Sequence, residues 1–536
     1  MKETQGLIRG MFEADSGDRE GSLDTARICA RLTDPSMLPP DDQSADEMLP
    51  ENFQSVGSRG IEILSSKMVI ALYPTDFPFF ELLPSVEVGY AVQDDPEAYQ
   101  TILDGLHLYE LAGMSFIENG LDSDARSSFR RQRFRTAMRQ SIRQVLITGD
   151  SLELMHDDGR VTVYRRDHYV TRRDSTGEVV YHITRERLDP LSLKDKQLEM
   201  CGLRRDQLET RRLCDREIDL FTKCEWNYRS NKWVIDQELN GVVFNTVVEK
   251  VTPYVSTCYK LSPGENYGRG FIELNLGDLR SLDAVCEKLL DFAAMASKFL
   301  LFIDGMSELK PKDFAKPTGS TVYGGRVKGG MLEDAAFFKA DKLADFKVVH
   351  ETANRLRNDL GSAMLIQSEA TPQKERVTAE QVRQIRDELN GALGGIYANI
   401  EDDQQAPRVD RALHVISAKK KLLPPLPKDA VQMRTATGVS ALSRYAKADN
   451  VELFVARLAQ LGPEALEAID KPTLISTMAR YRNINEPGLV KSREQMRAET
   501  QQRIQDQLKL AAGEQAIQSA GTIAEDAAAQ ANAPAA

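Results

Sequence analysis

The stretch from Tyr267 to Asp304, YGRGFIELNLGDLRSLDAVCEKLLDFAAMASKFLLFID, constrains the fold more than any other part of the chain. A tight Gly-Arg-Gly turn opens it. Leu279, Leu282, Val285, Leu289, Phe292, Ala296 and Phe299 then recur at steps of three or four, with Asp278, Arg280, Asp283, Glu287, Lys288 and Asp291 mainly between them. That is the period of an amphipathic helix. From Phe271 to Leu300 it would reach roughly 45 Å at about 1.5 Å per residue. Helices in compact domains average about 10–14 residues. Such a helix belongs to the core of a large soluble domain, or to an elongated body or an assembly.

A chain of 536 residues is too long for one core. With 41% hydrophobic and 28% charged residues it has ample material for packed cores. A net charge of −12 argues against a general nucleic-acid coat, whose affinity would rest on surplus Lys and Arg. It leaves room for a protein that lets nucleic acid pass without gripping it. Cys29, Cys201, Cys214, Cys224, Cys258 and Cys286 include no close pair, so no zinc site is expected, and reduced thiols are the default. The N-terminus lacks the apolar core of a secretion signal, and no stretch approaches the roughly 20 apolar residues of a membrane span. No membrane insertion is expected.

Along the chain, Ser22-Leu23-Asp24 can cap a helix carrying Ile28, Ala30 and Leu32, which the proline-rich MLPPDDQSADEMLP ends. An amphipathic helix follows over about 55–73, stopped by Pro74, and helical pattern returns over about 96–119. Seven arginines, Arg126, Arg130, Arg131, Arg133, Arg135, Arg139 and Arg143, then precede the first acid at Asp150. They read as phosphate contacts or as a helix surface that pairs with acids elsewhere, the second being favoured in an acidic chain. After Gly149, VTVYRRDHYVTRR, GEVVYHITRERL, EIDLFTKCEWNY and KWVIDQELNGVVF alternate as strands of a mainly antiparallel sheet. LKDKQLEMCGLRRDQLETRRL between them is helical and charged.

Past the long helix, residues 307–343 are rich in Gly and Pro, with β-like pieces expected around Ser320–Tyr323. A second helix runs over about 344–365. A loop, IQSEATPQKER, separates it from a third that starts near Thr378 with a capping box. Helical pattern reaches about Lys421, and a further helical unit covers roughly 429–498. From Ala511 to Ala536 nearly half the residues are Ala, which cannot bury a core alone.

Catalytic motifs are missing. GSTVYGGRVKGG lacks the P-loop spacing, and Gly268-Arg269-Gly270 lacks the third glycine of a dinucleotide fingerprint. The six histidines show no metal-ligand spacing, and no Ser sits in a nucleophile elbow. No catalytic residue, metal or cofactor is assigned.

SVGSRGIEILSSKMVIALYP, ENYGRGFIELNLGDLRSLDAV and ERVTAEQVRQIRDELNGALGGIYANI resemble corresponding segments of the portal, or head-to-tail connector, proteins of short-tailed (podovirus) bacteriophages. The likeness covers about residues 50–430. It implies an α+β, mainly helical portal fold. Residues 1–265 would be an N-terminal wing region of helices followed by a β-rich block, and 266–301 a first stem helix. Residues 302–343 would be the clip, 344–365 the second stem helix, 366–376 the tunnel loop and 377–428 further wing helices. Residues 429–498 would form the crown, and 499–536 a C-terminal barrel helix or disordered tail.

The resemblance further implies a homododecameric ring at one capsid vertex of the virion, assembled in the host cytoplasm. The ring would be a DNA conduit for packaging and ejection, docking the terminase large subunit and then the tail adaptor. The major capsid, scaffolding and internal core proteins would be further partners. On the tunnel loop, Gln367, Lys374, Glu375 and Arg376 would face double-stranded DNA; Tyr323, Arg326 and Lys328 would lie on the clip's docking surface. Gly268, Arg269 and Gly270 would set the turn into the stem, and Leu279, Leu282, Leu289 and Phe292 would pack it. The seven arginines could form an inter-subunit basic helix, since a closed ring needs two different complementary faces. Competing readings are another phage ring or adaptor protein, and an enzyme that processes nucleic acid.

Overall fold

A computed structural model describes the chain except residues 1–5, 41–47, 75–78, 92–95, 121–126, 211–216, 297–299, 305, 318, 329–330, 333–334, 339–342, 367–378, 425–430, 436–438, 462–468, 470, 482–501 and 503–536. It mixes helix and strand, as expected, in two compact units: residues 1–83 with 108–437, and residues 84–107 with 438–536.

The first helix, α1, is longer than expected. It runs from Leu7 to Thr33, with no break at Ser22. Its N-terminus is capped from far away in sequence: Glu238 accepts from the Ile8 and Arg9 amides at 2.8 and 3.2 Å. A carboxylate there satisfies orphan N–H groups and faces the positive end of the helix dipole. Local capping rules could not see it. α2, Val56–Leu72, ends just before Pro74 as expected. β1 (Phe80–Pro84), α3 (Val86–Ala91) and α4 (Pro96–Asn119) follow. α5, Ser127–Thr148, is the arginine helix, and Gly149 with φ +89° ends it.

The β-rich block is two antiparallel sheets. β2 (Asp150–Met155), β3 (Val161–Tyr164), β4 (Tyr169–Arg173) and β5 (Val179–Leu188) precede two short helices, α6 (Asp195–Met200) and α7 (Arg205–Glu209), where one helical stretch was expected. β6 (Ile218–Asn227), β7 (Lys232–Leu239), β8 (Val242–Glu249) and β9 (Tyr254–Cys258) complete it. The sheet orders are β3-β2-β9 and β4-β5-β6-β7-β8. β2 and β9 escaped the sequence reading because both are buried on nearly every residue and so do not alternate. Ile8 and Phe12 of α1 pack on Val170, Ile183 and Phe221, and Leu198, Cys201, Leu203 and Leu208 of the α6–α7 region pack on Leu220, Leu239 and Phe244.

The long helix is interrupted and shorter than the sequence suggested. α8 covers Phe271–Leu274, α9 covers Leu276–Ala296, and β10 covers Leu300–Ile303. The break at Asn275 has a local cause. Its side-chain amide donates to the Phe271 carbonyl at 2.9 Å, while its backbone N–H shifts to Ile272 at 3.1 Å. The side chain has taken the acceptor that the regular i→i−4 bond would use. The 21 residues of α9 give about 32 Å, not 45. Of the four residues Leu300–Ile303, the first two were expected to end the helix, because apolar residues fit either period. All four pair antiparallel with β13 (Ala335–Phe338), after the two-residue strands β11 (Val327–Lys328) and β12 (Met331–Leu332). Residues 320–323 are not strand.

α10, Leu343–Ala363, returns along α9. Phe292 near the end of α9 stacks on Phe346 near the start of α10 at 5.1 Å. α11 (Ala379–Leu393) and α12 (Gly395–His414) are separated by Gly394 at φ +58°; Thr378, expected to cap α11, lies outside the described residues. β14 (Val431–Thr435), in a region expected to be helical, pairs with β1. In the second unit, α13 (Val439–Leu461) and α14 (Lys471–Tyr481) are helical as expected, and most of the Ala-rich tail lies outside the described residues.

Candidate functional site at the root of the long helix

The chain enters the α8–α9 helix through a contact between backbones. A Cβ on Gly149 would lie 2.0 Å from the Gly268 carbonyl oxygen. One on Gly268 would lie 2.7 Å from the Gly149 oxygen, and one on Gly270 2.9 Å from the Leu146 and Ile147 oxygens. The end of α5 and the turn before α8 therefore touch with no side chain between them, which only glycine permits. The Tyr259 amide donates to the Gly149 carbonyl at 2.9 Å, and the Arg269 amide to the Lys260 carbonyl at 2.8 Å.

Buried charge holds this joint. Asp150, the first residue of β2, accepts from the Gly268 amide at 2.9 Å and from the Cys258 thiol at 3.1 Å. Arg166 sits 3.4 Å from its other oxygen and 3.9 Å from the centroid of the Tyr267 ring. Tyr267 accepts from the Thr171 amide at 3.1 Å, which ties the turn to the edge of the larger sheet. Burial works against the Arg166 charge, but Asp150, Tyr169 and Tyr267 more than offset it. Burial pushes the Asp150 carboxyl up, opposed by Arg166 and the Gly268 amide. The Cys258 thiol is pushed well up by burial and by Asp150, so it is not a reactive thiolate.

A second buried network fixes α12 to the same scaffold. Arg408 donates to Glu153 at 2.5 Å and to the Tyr73 hydroxyl at 3.1 Å. Gln404 donates to Ser141 at 3.0 Å and to Glu153 at 3.1 Å. At the end of α10, the fully buried Lys67 on α2 donates to the Leu365 carbonyl at 3.4 Å and pairs with Glu388 of α11 at 3.1 Å. Gly60 leaves the room that Met364 fills, since a Cβ there would lie 2.1 Å from its sulfur.

The expected residues fall into place unevenly. Gly268 and Gly270 form the joint; Arg269 points outward and pairs with Glu265 and Glu273, both at 2.8 Å. Leu279 and Leu282 are fully buried, while Leu289 and Phe292 are half-buried along α9. Tyr323, Arg326 and Lys328 are exposed. Gln367, Lys374, Glu375, Arg376 and Arg126 lie outside the described residues, as do the side chains of Arg130 and Arg131.

Of the other arginines on α5, two act within the subunit rather than on a free face. Arg135 donates to the Tyr73 carbonyl at 3.0 Å, and Arg143 bridges Asp34 and Glu62 at 3.0 and 3.2 Å. Arg133 and Arg139 are exposed. The sequence reading missed Asp150, Arg166, Glu153, Arg408 and Lys67. Their partners lie far away in sequence, so no local spacing marks them.

Among the described residues no group of three or more His, Cys, Asp or Glu could hold a metal ion, and no helix is long and apolar enough to cross a membrane. The joint, the helix pair and the buried ion pairs define a structural scaffold. A family model described as bacteriophage head to tail connecting protein matches residues 5–489, and the chain belongs to that family.

Among curated relatives, the portal protein of Escherichia phage T7 is 28% identical over 494 residues, covering 90% of this chain and 86% of that one. The portal protein of Enterobacteria phage T3 is 27% identical, covering 85% and 82%. That of Pseudomonas phage phiKMV is 24% identical, covering 93% and 95%. A solved neck of an empty gene transfer agent particle is 12% identical, covering 70% of this chain and 88% of that one at a TM-score of 0.32. The chain is a podovirus portal-type component of the head-to-tail connection, structural rather than enzymatic.

Proposed function

We propose that the protein assembles as a dodecameric ring at one capsid vertex, through which double-stranded DNA enters during packaging and leaves during ejection. The observation that carries this reading is the α9–α10 pair. It rises from a glycine joint, bears the small β-strands of residues 300–338 at its far end and returns to a buried lysine. In this reading the pair is the stem, and residues 302–343, with Tyr323, Arg326 and Lys328, are the clip that meets the terminase large subunit and then the tail adaptor. Residues 1–265 and 377–428 are the wing, and 429–498 the crown beneath a C-terminal barrel. Residues 366–376 are the tunnel loop, where Lys374 and Arg376 steady DNA weakly, because many phosphate contacts would hold it in place. Capsid, scaffolding and internal core proteins contact the ring, which is assembled in the host cytoplasm and retained in the virion.

Exposed apolar side chains support the assembly. Leu290 on α9 is 58% exposed and Val348 on α10 63% exposed, and a closed ring would cover them with neighbouring copies. Electron micrographs of the purified protein test the reading. Closed rings with a central hole are expected. A monodisperse monomer across micromolar concentrations, or rings without a hole, would sink it.

A further inference from the structure

Arg139 and Arg143 of α5 line an open groove of about 770 Å³ with Arg165, Arg185 and Arg187, which reach it from β3 to β5. Arg143 is engaged by Asp34 and Glu62, and Arg165 by Asp167. Arg139, Arg185 and Arg187 form no ion pair with a carboxylate among the described residues. They stand on two elements and line one groove with the carboxylates Asp34, Glu62 and Glu186. Arg143 engages the first two, the Tyr164 hydroxyl donates to the third, and Arg185 also lies over the Phe12 ring at 5.6 Å. Three arginines thus face one carboxylate that forms no ion pair among the described residues, in a chain whose net charge is −12. Concentrated positive charge on an acidic protein marks a place for an anion.

The apolar content of the groove separates the two kinds of anion that could fit. Protein partners are held by a buried aromatic or aliphatic anchor inside a polar rim. Here the apolar members are Met37 and Val163, both half-buried, and Tyr164, which is 5% exposed. None offers an anchor to a partner. Every lysine or arginine lining the groove is an arginine, whose planar fork suits phosphate oxygens. We propose that this groove is a contact site for the phosphodiester backbone of double-stranded DNA, separate from any contact at the tunnel loop. The contact is independent of sequence, because arginines that meet phosphates position a duplex without reading it.

The test is the salt dependence of binding between the full-length protein, in its native assembly state, and a short fluorescent DNA duplex. Relative to wild type, Arg139→Gln/Arg185→Gln/Arg187→Gln should flatten the slope of log K against log salt by about 2.7, and Arg139→Gln alone by about 0.9. Lys347→Gln on α10, outside the groove, should leave the slope unchanged. Arg139 is exposed and has no side-chain bond among the described residues, so the single variant keeps the test valid if the triple variant misfolds. An unaltered slope in Arg139→Gln, or no binding by the wild type, overturns the proposal. So does a triple variant that binds DNA normally but loses self-association, which would make the groove a seat for an acidic surface of a second copy. The proposed ring is judged separately by imaging, so its failure and the failure of this groove are distinguishable.

Discussion

Single residues decide whether the joint at the base of the long helix can form. Gly149→Ala should cost on the order of 3 kcal/mol, because a Cβ there meets the Gly268 carbonyl at 2.0 Å and φ is +89°. Arg269→Gln, next to Gly268, should leave stability nearly unchanged because its ion pairs are on the surface. Denaturant midpoints of the two variants check the contrast, and similar midpoints would refute the joint.

His182 gives a pH test. It is buried, bonded to Thr171 at 2.9 Å, and held down to about 3 by burial and then by Arg173. An ordinary imidazole titrates near about 6.5. Between those values the unfolded chain binds the extra proton, so this contribution is complete above about 6.5 and is lost as pH falls toward 3. His182→Gln should flatten that part of the stability–pH curve, measured by urea midpoints from pH 7 down to pH 4. An unchanged slope would mean that His182 is charged in the folded protein.

At the scale of elements, the end of α10 is fastened by Lys67. Lys67→Met removes the donor to the Leu365 carbonyl and the partner of Glu388, and should cost about 1–3 kcal/mol. Glu388→Gln should cost less, since Glu388 is 31% exposed and water can replace part of the pair. Equal losses would place the stabilisation in the ion pair rather than in the helix end. Much of the element order was legible in the sequence. α2, α4, α10 and the strands of the larger sheet follow from period, proline stops and turn residues. What could not be read was non-local. Glu238 caps α1 from strand β7, far away in sequence, Asn275 breaks a run whose period is otherwise helical, and the buried strands β2 and β9 have no alternation. Of the joint, Gly268 and Gly270 were visible as a turn, but Gly149 was seen only as a helix stop. Nothing in its neighbourhood shows that the three glycines touch.

For the whole molecule, the ring reading makes a prediction about association. Leu290→Lys/Val348→Lys alters side chains already open to solvent, so the subunit should fold with an unchanged circular dichroism spectrum. The same pair should prevent ring closure, and sedimentation velocity would then show a shift from ring to monomer. Rings at wild-type abundance would remove those side chains from the interface. The glycine joint also has a mechanical consequence. A load carried along α9 reaches the sheets where peptide planes rest directly on one another, without side-chain torsions to turn and absorb the strain. Such a coupling is stiff in compression, so a thrust on the far end of the helix pair would arrive at β2 with little lost travel.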